Sequence, residues 1–114
     1  MDGEWTIYKM KVTKSNGLSY YYEPTGTFNF SDFTDGEGKY AINMSYITPN
    51  GTLSKIEAGT IVLTQEGGYF IFYRINADGS VSELPEGRIL LITKNDIEMV
   101  YQDNSENYTF VLEK

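Results

Sequence analysis

Carboxylates are the side chains best suited to acid/base chemistry in this sequence, because the chain contains neither His nor Cys. Imidazole catalysis, thiolate nucleophiles and the usual zinc ligands are therefore excluded. Hydrolysis of a glycosidic bond would need two carboxyls about 5–9.5 Å apart, one of them kept protonated by burial. Glu23, Glu57 and Glu98 lie in strand-like segments, but Glu98 alternates with an apolar face and no pair stands out. We therefore expect a protein that is not an enzyme.

A second group of carboxylates surrounds Gly36. Asp32, Asp35 and Glu37 offer oxygen ligands of the kind that Ca²⁺ accepts, but their spacing differs from that of an EF-hand loop. Asp-Gly is also a common turn dipeptide, so an acidic hairpin turn explains the group more simply. We expect no bound metal and no cofactor.

The triplet Tyr20-Tyr21-Tyr22 could form an aromatic platform for a carbohydrate or a protein partner, since tyrosine offers a large contact area at low entropic cost. Consecutive residues of a strand point to opposite faces, however. Packing at a strand edge is therefore the simpler interpretation of the triplet.

The elements that position these side chains are strands. Apolar residues recur at spacing two in short runs that stop at turn residues, and 10 Tyr, 6 Phe and 1 Trp against 3 Pro favour β-structure. The predicted strands cover residues 5–14, 18–23, 27–33, 40–46, 60–65, 69–75, 89–92, 97–102 and 108–112. The pattern indicates an all-β fold in a single domain, residues 1–114. Its strands should form an up-and-down antiparallel meander closed into a barrel of about eight strands, which leaves no exposed sheet edge.

One alternating set of side chains should line the interior of such a barrel. Our choice for this lining is Phe28, Phe30, Ile42, Met44, Tyr46, Ile71, Tyr73, Met99, Tyr101 and Phe110. The set suits an apolar or aromatic ligand. A barrel of about eight strands is only wide enough for its own side chains or one small ligand, and residues of this size favour a filled core. Buried tyrosine hydroxyls need partners, which favours some polar space.

Two of the predicted strands, residues 69–75 and 89–92, are apolar on both faces. A strand with one solvated face would alternate instead, so something should cover their outer side. A homodimer through these strands is one such cover. The polar segment between them, residues 76–87, is predicted to be a mobile flap or an extended hairpin.

The net charge of −7 repels phosphate backbones, so we expect no nucleic-acid partner. No apolar run approaches the roughly 20 residues of a membrane helix. No export signal is seen in the chain, which we expect to be soluble.

Three segments together resemble the small lipocalin-like domains of exported bacterial lipoproteins. They are Gly3-x-Trp5, the run Phe28-x-Phe30 leading to Asp35-Gly36-x-Gly38-x-Tyr40, and the end Tyr108-x-Phe110-x-Leu112-x-Lys114. The resemblance spans nearly the whole chain through the order and spacing of these segments. It implies a lipocalin-like barrel, a place in the cell envelope, and membrane attachment only through a lipid anchor on a removed leader.

In lipocalin-like barrels the Trp of the first segment closes one end, and a basic side chain of a late strand packs across its indole. The matching positions here are Trp5 and Lys114, with Gly3 as the third structural residue, and Arg74 and Arg88 as rivals for the basic partner. A cation over an indole face is favourable by about 0.5–2 kcal/mol. The apolar residue that commonly precedes the first segment and the central Thr-Asp-Tyr motif of larger lipocalins are both absent.

The sequence therefore predicts a non-catalytic binding protein that holds a small apolar ligand in its barrel. The alternative is a structural or protein-interaction module of the cell envelope with a filled barrel. An acid/base enzyme that uses carboxylates alone is the third reading of the same residues.

Overall fold

The structure, a computed structural model, describes residues 1–64 and 68–114. They form ten antiparallel β-strands. The strands are β1 (Gly3–Thr13), β2 (Ser19–Tyr22), β3 (Thr25–Thr34), β4 (Glu37–Thr48), β5 (Gly51–Leu63), β6 (Tyr69–Ile75), β7 (Val81–Glu83), β8 (Gly87–Ile92), β9 (Asp96–Asp103) and β10 (Glu106–Glu113). The predicted turn at residues 66–68 lies mostly outside the described residues. None of those residues forms a helix long and apolar enough to cross a membrane.

The sheet closes on itself. Around the barrel the order is β1, β3, β4, β5, β6, β8, β9 and β10, and β10 pairs back to β1 through contacts such as Ile7 with Leu112. The predicted all-β antiparallel meander closed into an eight-stranded barrel is confirmed. Closure pairs the first and last long strands along most of their length and so covers the two edges that an open sheet would expose.

β2 and β3 together occupy one position around the barrel wall, and β7 and β8 together occupy another. In each position the strand is interrupted, and β2 and β7 are the shorter parts. β1 pairs with β2 at Met10–Tyr22 and with β3 at Trp5–Phe28, and Pro24 lies between β2 and β3. On the other side β6 pairs with β7 and then with β8, and Pro85 lies in the gap. Proline has no N–H for the ladder, so each interruption lies at a proline. The predicted polar connection, residues 76–87, is accordingly an extended hairpin.

The barrel interior is filled by side chains that are almost completely buried. The buried apolar residues are Trp5, Ile7, Met10, Val12, Phe28, Phe30, Tyr40, Ile42, Met44, Ile61, Phe70, Phe72, Leu84, Ile97, Met99, Tyr101, Phe110 and Leu112. Seven members of the predicted lining are among them, and an eighth, Tyr46, packs against the same core while partly exposed.

The predicted inward face of β6 is wrong. Phe70 and Phe72 point into the barrel, where Phe72 pairs with the buried Ile61 of β5, and Ile71 and Tyr73 lie half-buried on the outer surface. Both faces of β6 are apolar, so its own alternation does not mark the inner one. The neighbouring strand decides the facing, because cross-strand partners lie on the same side of a sheet.

The barrel has a closed end beside Trp5. The Trp5 indole N–H donates to the carbonyl of Met1 at 2.8 Å, and the ammonium of Lys114, rather than Arg74 or Arg88, lies 4.8 Å from the centre of the Trp5 ring. Lys114 also donates to the carbonyl of Asp2. Gly3, at φ +114°, leaves room for this arrangement, since a Cβ there would lie 2.6 Å from the Lys114 nitrogen.

The opposite end, which we call the mouth, is formed by four hairpin turns. They connect β1 to β2, β4 to β5, β6 to β7, and β9 to β10. At this end β2 and β7 each pair with a single neighbour among the described strands. The mouth is therefore more open than the closed end, and the polar residues of the interior lie towards it.

Candidate functional site

The predicted apolar lining does not surround a cavity. Phe28 stacks on Phe30 with ring centres 5.0 Å apart and on Phe72 at 6.0 Å, and Tyr40 lies 4.2 Å from Phe72. Among the predicted lining residues, Tyr46 borders a cleft of the described structure. The other inward-facing members belong to the packed core. Three clefts of about 490, 520 and 530 Å³ lie above this core towards the mouth.

Between the core and the mouth lies a group of four charged side chains, which we call the charge cluster: Lys55, Glu57, Arg74 and Asp103. The Arg74 guanidinium lies 2.8 Å from Asp103 Oδ2 and 3.3 Å from Glu57 Oε1. The Lys55 ammonium lies 3.4 Å from each of the same two oxygens. The four charges alternate in sign and sum to zero, so every carboxylate has two cationic partners.

Three strands position the charge cluster. Lys55 and Glu57 are alternate residues on the inner face of β5, Arg74 follows Phe72 on the inner face of β6, and Asp103 follows Tyr101 on that of β9. Strand periodicity thus places all four on the inner side of the barrel wall, on the mouth side of the aromatic core.

Burial adds a desolvation cost to keeping these four side chains charged. The side chains of Glu57 and Asp103 are 6% and 12% exposed. Burial alone would lower the pKa of Arg74, but the negative charges of Asp103 and Glu57 outweigh it and raise that pKa above its ordinary value. Buried ion pairs of this kind often stabilise a fold no more than apolar residues of the same volume would.

Two tyrosine hydroxyls reach the charge cluster from the core. Tyr40 donates a hydrogen bond to Glu57 Oε2 at 3.0 Å, and burial followed by the Glu57 charge raises the pKa of Tyr40. Burial raises the pKa of Tyr101 as well, and the nearby Glu57 and Asp103 charges add to the effect. The Tyr101 hydroxyl is buried and has no hydrogen-bond partner within residues 1–64 and 68–114. Both phenols are neutral, and that of Tyr101 donates to no atom of the described residues.

Above the charge cluster lies a cleft of about 490 Å³, which we call the mouth chamber. Its lining residues are Val12, Lys14, Tyr20, Tyr22, Tyr46, Thr48, Pro49, Asn50, Leu53, Glu106 and Tyr108. The rings of Tyr22 and Tyr46 lie 4.9 Å apart, and Lys14 pairs with Glu106 at the rim. Lys55 lies 5.1 Å from the centre of the Tyr108 ring and so connects the chamber to the charge cluster.

A second cleft, of about 530 Å³, opens between β7 and β9, and we call it the side cleft. It is lined by Arg74 and Asp103 of the charge cluster and shares Glu106 and Tyr108 with the mouth chamber. The Arg74–Asp103 ion pair spans it from β6 to β9. The charge cluster is therefore reached from solvent through the side cleft and adjoins the mouth chamber.

The arrangement presents a set of fixed hydrogen-bonding groups. Glu57 and Asp103 each have two cationic partners, Arg74 and Lys55, at 2.8–3.4 Å. Within the described ranges no three His, Cys, Asp or Glu side chains are grouped to hold a metal. At the predicted acidic turn, Asp32 instead lies 3.5 Å from the Lys39 ammonium.

The sequence reading missed most of this site. Lys55 and Glu57 lie in the segment whose alternation fades, residues 52–57, which proves to be the first half of β5. Arg74 is the one charged residue of β6. The signal available in the sequence was a charged residue, Arg74, within a strand that is otherwise apolar.

Comparison with known proteins gives the fold and no family. No protein-family model matches the chain, and no curated protein matches it at a significant level. A solved structure described as "De novo design of a fluorescence-activating beta barrel" is similar over 100% of this chain and 93% of its own, with a TM-score of 0.58 and 17% identity. At that identity the likeness shows the barrel fold alone.

Proposed function

We propose that this protein is a non-catalytic binding protein that takes a small molecule at the mouth of its barrel. The observation that supports this most is the position of the buried charge cluster next to a tyrosine-walled chamber of about 490 Å³, which it contacts through Lys55 and the ring of Tyr108. Ligand sites commonly have this size, with apolar and aromatic walls and a few fixed polar groups.

The mouth chamber fits a ligand with an apolar or aromatic body and a polar end. Tyr20, Tyr22, Tyr46 and Tyr108 offer rings for the body. Such a ligand lies above the core rather than inside it, because the barrel interior is already occupied by side chains. The similar solved barrel is described as fluorescence-activating, which agrees with a small-molecule role for this fold.

The energetics of the charge cluster support a role in binding. A core of apolar residues at these positions would be about as stable, so stability alone does not explain the four charges. The strands fix the positions of the four charged side chains. The hydrogen-bond donors and acceptors of the charge cluster are therefore in place before a ligand binds. The Tyr101 hydroxyl, buried in the core and without a hydrogen-bond partner among the described residues, is one more polar group held near these charges.

The place of the chain among the lipocalin-like domains of exported bacterial lipoproteins, and with it a cell-envelope location, is part of the same proposal. The contact of Lys114 with the Trp5 ring, and the fit of Gly3 beside it, support that assignment. A polar-tailed small molecule at the mouth is a ligand that such a barrel could hold.

The test uses the fluorescent dye anilinonaphthalene sulfonate, which has an aromatic body and an anionic end. Amide NMR spectra should show its effects on residues around Tyr46 and Tyr108, and Tyr46→Ala should weaken its binding. Tyr8→Ala, a matched change of an exposed tyrosine on β1, should leave binding unchanged. Dye effects confined to the outer surface or the closed end would contradict the proposal. Native mass spectrometry of protein expressed in rich medium would then identify a co-purified ligand.

A further inference from the structure

The wall of the barrel is open on one side of the mouth, between β2 and β4. Among the described residues β2 pairs with β1 alone, and the end of β4 from Tyr46 to Thr48 pairs with β5 alone. The strand between them, β3, reaches β4 only as far as the pair Thr25–Ser45. Two unpaired strand edges therefore face one cleft of about 520 Å³, which we call the lateral slit.

The lateral slit is built into the sequence. Pro24, buried between β2 and β3, has no N–H for the ladder. Between the pair Met10–Tyr22 and the pair Trp5–Phe28, the segment from β2 to β3 contains one residue more than the facing segment of β1. An extra residue on one of two paired strands is a β-bulge. A bulge bends the strand that contains it, and this one directs β2 away from β4.

The hydrogen bonds between β1 and β2 show which main-chain N–H and C=O groups of β2 face the lateral slit. The Lys14 N–H donates to the Leu18 carbonyl at 2.8 Å, which makes these two residues a hydrogen-bonded pair of the β1–β2 ladder. Pairing alternates along an antiparallel ladder, so the N–H and C=O groups of Ser19 and Tyr21 face away from β1 and into the slit. An unpaired edge of this kind is a template for another strand.

The side chains around the lateral slit also fit a strand. Tyr21 and Ile47, exposed by 77% and 79%, flank it on the outer surface. Tyr22 and Tyr46, whose rings are in contact, form its inner side. A strand lying in the slit would thus find apolar surface on both of its faces. The lining contains Glu23 and no basic residue, and the chain has a net charge of −7.

We propose that the lateral slit binds an extended peptide segment of another protein by β-strand addition to β2. The peptide has apolar side chains at alternate positions and basic rather than acidic residues between them. Main-chain hydrogen bonds give such complexes their affinity, and the flanking pockets select side chains. This interaction is separate from the small-molecule role of the mouth chamber, although the two sites share the rings of Tyr22 and Tyr46.

The experiment uses the synthetic peptide acetyl-Lys-Val-Lys-Val-Thr-Val-amide and two copies N-methylated at alternate residues, one for each edge. Amide NMR spectra should place the parent peptide at Ser19–Tyr22 and at Tyr46–Thr48, with slower exchange of the Tyr21 amide. N-methylation of at least one edge should weaken binding about tenfold or more, since it removes main-chain hydrogen bonds and keeps the side chains. Equal binding of all three peptides, or no effect at β2 with millimolar peptide, would overturn the proposal.

A pair of variants tests the same point from the side of the protein. Tyr21→Pro removes the N–H that faces the slit, which an edge strand tolerates, and Tyr21→Ala removes the ring and keeps the N–H. Tyr21→Pro should bind the peptide several-fold more weakly than Tyr21→Ala, and Val81→Ala on the opposite short strand should bind as the parent does. If Tyr21→Pro does not fold, the N-methylated peptides decide alone. Self-association that protects the β2 amides without peptide would make a second copy the occupant and would also overturn the proposal.

Discussion

Replacing Arg74 by Met should destabilise the protein by about 2–4 kcal/mol, a value between the limits for exposed and buried ion pairs. The Arg74 side chain is 29% exposed, whereas those of its partners Glu57 and Asp103 are 6% and 12% exposed. Loss of the cation leaves two nearly buried carboxylates with Lys55 as their only remaining partner in the charge cluster. Methionine fills similar volume, so the cost comes from the uncompensated charge rather than from a cavity.

Charge balance gives this prediction its sharpest check. The double variant Arg74→Met with Asp103→Asn again has one cation and one anion in the charge cluster. It should therefore be destabilised by less than the sum of the two single changes, with a coupling of about 0.5–3 kcal/mol. Additive losses would show that the four side chains do not act as a unit.

The assay is urea denaturation followed through the emission of Trp5, which is buried at the opposite end of the barrel and reports unfolding of the whole. Arg88→Met is the matched control, because Arg88 lies on β8 with its side chain exposed. Exposed substitutions of this kind usually change stability by less than about 0.5 kcal/mol. A loss below about 1 kcal/mol for Arg74→Met would refute the view that the charge cluster is effectively buried.

Three further predictions concern the closed end, the bend in β3 and the core tyrosine. Trp5→Ala should cost about 3–5 kcal/mol in urea titration, the range for a buried aromatic, and a loss under about 1 kcal/mol would contradict its role at the closed end. Gly26→Ala should cost at least about 1 kcal/mol more than Gly17→Ala. A Cβ at Gly26 would lie 2.1 Å from the Asn43 carbonyl, whereas one at Gly17 meets nothing within 4 Å. Burial raises the pKa of Tyr101 well above 10.0. The contribution of the neutral Tyr101 phenol to the free energy of unfolding is therefore complete below pH 10.0 and falls as the pH rises above that value. Tyr101→Phe should flatten the alkaline fall in urea titrations between about pH 8 and 11, and an unchanged fall would contradict this.

Sequence periodicity predicted the fold wherever a strand has one apolar face. In β4, the predicted lining residues Ile42 and Met44 alternate with small or polar residues, and both are buried as expected. In β6 the same reasoning chose Ile71 and Tyr73, because both faces of that strand are apolar. The correct facing depends on pairing with β5, which local sequence does not contain.

The charge cluster was hidden from the sequence for the opposite reason. Residues 52–57 look irregular because the inner face of β5 is polar at Lys55 and Glu57, between Leu53 at the mouth and the buried Ile61. Their partners Arg74 and Asp103 come from strands far along the chain, so only the closed barrel brings the four charges together. Prediction from hydrophobic periodicity assumes that inward-facing residues are apolar, so it fails where part of the interior is polar.

The two ends of the barrel depart from regular β-structure in different ways. Towards the closed end the register shifts once between β3 and β4 and once between β8 and β9, but the interior stays apolar around the buried indole. Towards the mouth, two prolines interrupt strands, the edges of β2, of β7 and of the end of β4 lack a partner among the described residues, and four charges replace apolar side chains. None of these features is needed to close a barrel, and apolar residues in place of the four charges would be about as stable. Local rules are commonly broken where a protein binds something, and the coincidence of interrupted strands, unpaired edges and buried charges at the mouth is the physical reason for placing function there.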